Sequence, residues 1–198
     1  MKRLFLVDAY ALIFKYYYAF YGRPMRNRAG MNTSIVFGFT KFLRDIIKRE
    51  KPDLLGVAFD PAGGSFRREM FPEYKANRPE TPEDIKESVP YVKKIVEAMC
   101  IPILEIAGYE ADDVIGTVGK ICSNNEWECV VVTGDRDSLQ LIDENVHIKL
   151  VISKPGQTTA TLYTEEKFRE EYGFEPKKLI DLKALMGDSS DNIPGVAG

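Results

Sequence analysis

Short apolar runs and amphipathic stretches alternate along the chain. LFLVD (4–8), LLGVAFD (54–60), IPILEIAG (101–108), WECVVVTGD (127–135) and VHIKLVI (146–152) have the length and apolar density of buried strands. Between them, Ile35, Val36, Phe39, Leu43, Ile46 and Ile47 fall at helical spacing within 33–50. Further helices are expected over 82–100, 109–125, 165–173 and 176–187. Thr81 is placed to cap the helix over 82–100, with Pro82 in its first turn and Pro90 expected to break or kink it. Strands alternating with helices imply an α/β fold, a mainly parallel sheet covered on both faces. Ligands of such sheets bind beyond the carboxyl ends of the strands. Residues 61–81 interrupt the pattern; they lack core character and are rich in Gly, Arg, Lys and Pro. A long insertion of this kind in a compact domain is usually functional.

Composition narrows the chemistry. The 198 residues suffice for one domain with a full core, and 44% hydrophobic with 29% charged residues is ordinary for a globular chain. No apolar run reaches bilayer length, and the N-terminal run stops at Asp8 without a cleavage site, so it reads as a strand. Cys100, Cys122 and Cys129 are odd in number and widely spaced, which fits free thiols in a reducing cytoplasm. With His147 as the only histidine, neither a zinc site of the His/Cys kind nor a histidine-based nucleophilic relay has its parts. The net charge of −3 conceals an uneven distribution, with basic residues gathered in 41–51 and 67–78.

The acidic residues gather in motifs at the ends of apolar runs. Asp8 and Asp60 close two strands; Glu110, Asp112 and Asp113 open a helix; Asp135 and Asp137 follow WECVVVTG; Asp188 and Asp191 lie in GDSSDN. Each motif alone has a structural reading, as a turn former, a cap or a complement to the helix dipole. A parallel sheet, however, would bring most of them to one edge, where crowded carboxylates cannot all ionise without cations. Hard oxygen donors without His or Cys select Mg²⁺ or Mn²⁺, and this many acids suggest two ions. Two divalent ions point to phosphoryl chemistry. No P-loop or GxGxxG is present. Directly after Asp60, Arg67, Arg68, Lys75 and Arg78 are interleaved with Phe66, Phe71 and Tyr74, a combination suited to phosphates and unpaired bases.

LVDAYALIFKYYYAF, VAFDPAGGSFRREMFPEYKANRPETPEDI, GYEADDVIGT, VVTGDRDSLQL and LMGDSSDNIPGVAG occur in that order through almost the whole chain. Together they resemble the 5′→3′ exonuclease domain at the N-terminus of bacterial DNA polymerase I, a relative of the flap endonucleases with a PIN-like fold. The resemblance implies a structure-specific nuclease in DNA replication and repair, acting on DNA with a 5′ flap or nick and on RNA primer–DNA hybrids. It implies that Asp8, Asp60, Glu110, Asp112 and Asp113 surround one divalent metal, and that Asp135, Asp137, Asp188 and Asp191 hold a second. Lys75 and Arg78 would be the catalytic cations of a basic helical arch over about 61–82. Arg67, Arg68 and Lys15 would contact phosphate, and Tyr74 would stack on the strand. Ala9 and Lys15 stand where the family commonly has Gly and Arg, so Lys15 keeps the charge without the guanidinium fork. The core is expected over 1–187, with 188–198 opening a helix–hairpin–helix that in the family grips duplex DNA, often with K⁺, an ion not expected in these residues. The chain is accordingly expected to be a monomeric piece of a longer bacterial polymerase, working at the nucleoid and not at a membrane. Two other readings of the same residues are a toprim-like nucleotidyl transferase and a non-catalytic branched-DNA binding module.

Overall fold

A computed structural model describes residues 1–154 and 157–196. Ala197 and Gly198, the last two residues of the expected helix–hairpin–helix opening, lie outside them. Six strands form one sheet: β1 (Arg3–Asp8), β2 (Leu54–Ala58), β3 (Ile103–Leu104), β4 (Glu128–Thr133), β5 (Val146–Lys154) and β6 (Gln157–Tyr163), in the order β3-β2-β1-β4-β5-β6. The first five run parallel, and β6 returns antiparallel to β5. The expected α/β sheet is therefore present, with an antiparallel edge added.

Strand alternation sorts the core into two layers. Phe5, Val7, Val57, Phe59, Val130 and Val132 face α1 (Ala9–Ala19), α2 (Ser34–Arg49) and α4 (Glu83–Ala98). Leu4, Leu6, Ala58, Cys129 and Val131 face α5 (Ala111–Asn124), α6 (Glu165–Tyr172) and α7 (Lys178–Met186). Because β1 pairs with β2 on one side and β4 on the other, the chain reverses direction of winding at β1, the kind of crevice where α/β sheets bind ligands.

Several elements differ from the expectation. The run 101–108 contributes only the two residues of β3. The helix α4 runs through Pro90 unbroken: Pro90 is exposed, so the carbonyl it leaves without a partner one turn earlier faces water. Thr81 does not cap it; Pro82 holds that position. Residues 61–82 contain a single five-residue helix, α3 (Phe66–Met70), and the rest is turns. Ion pairs tie them to the body at Asp113, Glu110 and Asp191.

Candidate active site

Three strand ends and the start of α5 meet at the carboxyl edge. Asp8 closes β1 on the α5 side of the sheet, only 7% exposed. Its carboxylate accepts hydrogen bonds from Thr133 Oγ1 (2.8 Å) at the end of β4 and from the Ala11 N–H (3.2 Å) in the first turn of α1. Asp60, two residues past β2, accepts from the Ala111 N–H (2.8 Å) and so ties β2 to the start of α5. Asp112 follows on α5. Asp135, past β4, accepts from the Asp137 N–H (2.8 Å) and donates its own N–H to Thr133 Oγ1 (3.0 Å). Asp135 heads a 3₁₀ turn over Arg136–Leu141.

These four share one electrostatic pit. Burial, with the charges of Asp60 and Asp135 adding, pushes Asp8 up to about 6 even though Thr133 and Ala11 favour its ionised form. Loss of water and the charges of Asp8, Asp135 and Asp60 push Asp112 up to about 7. Asp112 keeps a face open to solvent. Repulsion of this kind is expensive and serves no packing purpose.

The other acids found different company. Glu110 accepts from Ser65 Oγ (2.8 Å), Tyr74 Oη (3.0 Å) and Lys75 Nζ (2.8 Å). Burial opposes its ionisation, but these donors prevail and hold it below the ordinary range. Asp113 accepts a two-pronged bond from Arg67 (2.7 Å each) and also caps the Glu110 N–H (3.0 Å), so its structural reading is correct as well. Arg67 accordingly holds Asp113 low. Asp191 pairs with Arg78. Lys183 of α7 bridges Asp137 (2.7 Å) and Asp188 (3.1 Å). Asp137 is nevertheless pushed up, by burial ahead of Lys183 and then by Asp135. Asp188 is held far down by Ser190 and Lys183.

In this structure the acids sort by the partners they meet. Asp8, Asp60, Asp112 and Asp135 interact directly; Asp137 links Asp135 to Asp188; Glu110, Asp113 and Asp191 are neutralised by the segment 65–78. That segment is fastened at both ends, since the Phe66 N–H donates to the Gly108 carbonyl (3.0 Å), the Lys75 N–H to the Asp191 carbonyl (2.9 Å) and Asn77 to the Ser189 carbonyl (2.7 Å). Tyr74, expected to stack on a strand, is 6% exposed with its hydroxyl on Glu110. Arg68 is exposed. Lys15 lies over the rings of Tyr16 (4.9 Å) and Phe42 (5.3 Å), on the α1–α2 seam rather than among the acids. Thr133, Ser65 and Lys183 were not singled out in the sequence. Thr133 could have been, as a lone hydroxyl ending the apolar run CVVV just before Gly134 and Asp135.

Every donor facing the pit is oxygen, and two of its carboxylates lack the positive charge they need, which fits a hard divalent ion. Among the described residues no three acids stand as a finished ligand cage, so an ion would draw the side chains inward.

Comparison with known proteins agrees. The family described as 5′-3′ exonuclease, N-terminal resolvase-like domain, matches residues 3–173. DNA polymerase I of Caldicellulosiruptor bescii is 41% identical over 197 residues, covering 99% of this chain and 23% of that protein. DNA polymerase I of Chloroflexus aurantiacus is 42% identical over 196 residues, covering 98% and 21%. The chain spans less than a quarter of the length of these relatives. Among solved structures, the T5 5′-exonuclease with zinc bound superposes with a TM-score of 0.76 at 25% identity, over 100% of this chain and 71% of that one. The sequence match, the sheet order and the acidic edge lead to one assignment: this chain belongs to the 5′-3′ exonuclease family, as its N-terminal resolvase-like domain.

Proposed function

We propose that the chain hydrolyses phosphodiester bonds in DNA, cutting at 5′ flaps and nicks and removing RNA primers from DNA, within a DNA polymerase I. The observation that carries this reading is the group Asp8, Asp60, Asp112 and Asp135, gathered from separate motifs with their repulsion unrelieved. Support also comes from relatives named DNA polymerase I and from the likeness to a T5 5′-exonuclease that binds zinc. Asp8, Asp60, Asp112 and Asp135 would hold one Mg²⁺ or Mn²⁺, with Asp137, Asp188 and outer acids toward a second. When bound, the ions acidify the attacking water and stabilise charge on the phosphoryl oxygens. The water oxygen bonds to phosphorus and the 3′ oxygen leaves with a proton, giving 5′-phosphate and 3′-hydroxyl ends. Lys75 and Arg78 would exchange their carboxylate partners for phosphate; Arg67, Arg68 and Lys15 would hold the backbone, and Tyr74 would reach a base once freed from Glu110. Residues 61–82 would serve as the strand-guiding arch, and 188–198 as the start of a duplex-binding helix–hairpin–helix. No helix among the described residues is long and apolar enough to cross a membrane. We take the working form to be a monomer at the bacterial nucleoid.

A labelled 5′-flap incubated with Mg²⁺, Ca²⁺ or chelator tests this. Cleavage is expected with Mg²⁺ only, and Asp112→Ala or Asp135→Ala should lower it by more than about a hundredfold without lowering the melting temperature. Full activity in either variant would sink the assignment, and tight flap binding without turnover in Mg²⁺ would leave a binding module.

A further inference from the structure

A groove of about 590 Å³ leaves the acidic pit and runs between α5 and the 3₁₀ turn that follows Asp135. Its head is formed by Asp112, Asp137 and the Arg67–Asp113 ion pair, its length by uncharged groups, and Lys120 stands toward its far end. Gly116, Ile121 and Leu141 supply an apolar wall. Ile121 is 54% exposed there, on a helix whose other face is packed in the core. At Gly116 an added Cβ would come within 3.2 Å of Leu141, so the absence of a side chain keeps the groove open. Ser138 lines it too, and is 4% exposed with a hydroxyl that has no partner among the described residues. A buried hydroxyl left without a partner costs about 1–3 kcal/mol, and such a group is normally met by a ligand or water.

We infer that this groove is a subsite for one unpaired nucleotide next to the bond being cut. The inference rests on the nuclease reading above and adds where the strand lies. The base lies against Ile121 and Leu141, and the Ser138 hydroxyl, covered in the groove wall of the free protein, turns to bond a polar edge of the base or sugar. Lys120 makes no ion pair among the described residues. It lies seven residues along α5 from Asp113, about 10 Å at the helical rise, and takes a phosphate beyond the scissile one. The head carries three carboxylates against the one guanidinium of Arg67, itself already paired with Asp113, so it does not favour a free phosphate and the nucleotide enters through its base and sugar.

The test uses a 5′-flap carrying 5-iododeoxyuridine on one or the other side of the cut bond, bound in Ca²⁺ and irradiated. One of the two positions should crosslink to the peptides containing Ile121 and Ser138. Lys120→Ala, a change at an exposed residue, should raise KM about three- to tenfold with kcat kept, and reduce the slope of log affinity against log salt by about 0.7. Ile121→Ala should weaken the crosslink. Crosslinks confined to other elements, or an unchanged salt slope in Lys120→Ala, would overturn the subsite. Because crosslinking needs no turnover, a groove crosslink in a protein that fails to cut in Mg²⁺ would sink the nuclease reading and leave strand binding here standing.

Discussion

At the scale of single residues, Asp8 and Lys75 show how stability has been given up at the acidic edge. Asp8 is buried and accepts two hydrogen bonds, yet its carboxyl is pushed up to about 6. The ionised side chain therefore costs stability at neutral pH when no cation is near. Asparagine has the same shape, can still accept from Ala11 and can donate to Thr133 after the hydroxyl turns. In chelator, Asp8→Asn should melt higher than the parent by an amount worth about 1–2 kcal/mol, while losing cleavage. A lower melting temperature would show that the charge is not the cost. Lys75 combines a left-handed backbone (φ 57°) with the Glu110 pair, a conformation that non-glycine residues adopt at a cost of about 1–3 kcal/mol. Its backbone N–H on Asp191 fixes the strained turn, and its ammonium is poised beside the pit. Lys75→Ala should lower kcat by about a hundredfold while flap affinity in Ca²⁺ changes by less than about threefold. A defect in affinity alone would make Lys75 a tether.

Among elements, the α1–α2 seam and the segment 65–78 behave differently. Gly38 sits inside α2 against Tyr16, and an added Cβ would lie 2.3 Å from that ring. Gly38→Ala should destabilise by about 1–3 kcal/mol in urea unfolding through overpacking, although Ala is the better helix former; a stabilised variant would mean that Tyr16 swings out freely. Segment 65–78, by contrast, is held by polar pairs over little apolar burial, so it should open before the core does. These two regions also show what the sequence revealed. Strands β1, β2 and β4 were legible because they are dense apolar runs followed by acids, and β5 by its apolar density alone. Helix α1 was not, because AYALIFKYYYA is apolar or aromatic on every side and carries no stripe. Nor was β6, whose Thr-rich QTTATLY lacks the density of a buried strand and sits on the sheet's edge. The acids were legible as candidates, but not their grouping. Whether Glu110 faces Asp112 or Lys75 depends on how residues 61–82 fold back, and no local pattern encodes that.

For the whole molecule, two pools of positive charge compete for one acidic edge. Arg67, Lys75 and Arg78 are tethered cations already paired with Asp113, Glu110 and Asp191, while among the described residues Asp8, Asp60, Asp112 and Asp135 form no ion pair and feel only the charge of Lys75 nearby. An ion that binds the folded chain alone stabilises all of it: at about 100 times its dissociation constant, by about 2.7 kcal/mol. For a domain of this size that corresponds to a rise in melting temperature of roughly 5–11 °C. Mg²⁺ should produce such a rise where K⁺ at equal ionic strength does not, and Asp112→Ala should abolish most of it. The competition makes a sharper demand. Arg67→Ala removes a tethered cation without touching the pit and leaves Asp113 unneutralised, so the edge becomes more negative. The variant should melt lower than the parent in chelator yet reach half its Mg²⁺-induced rise at a lower Mg²⁺ concentration. A midpoint that stays put would mean that the segment's pairs and the pit are electrostatically independent, and that the basic segment neither guards nor releases the acids beneath it.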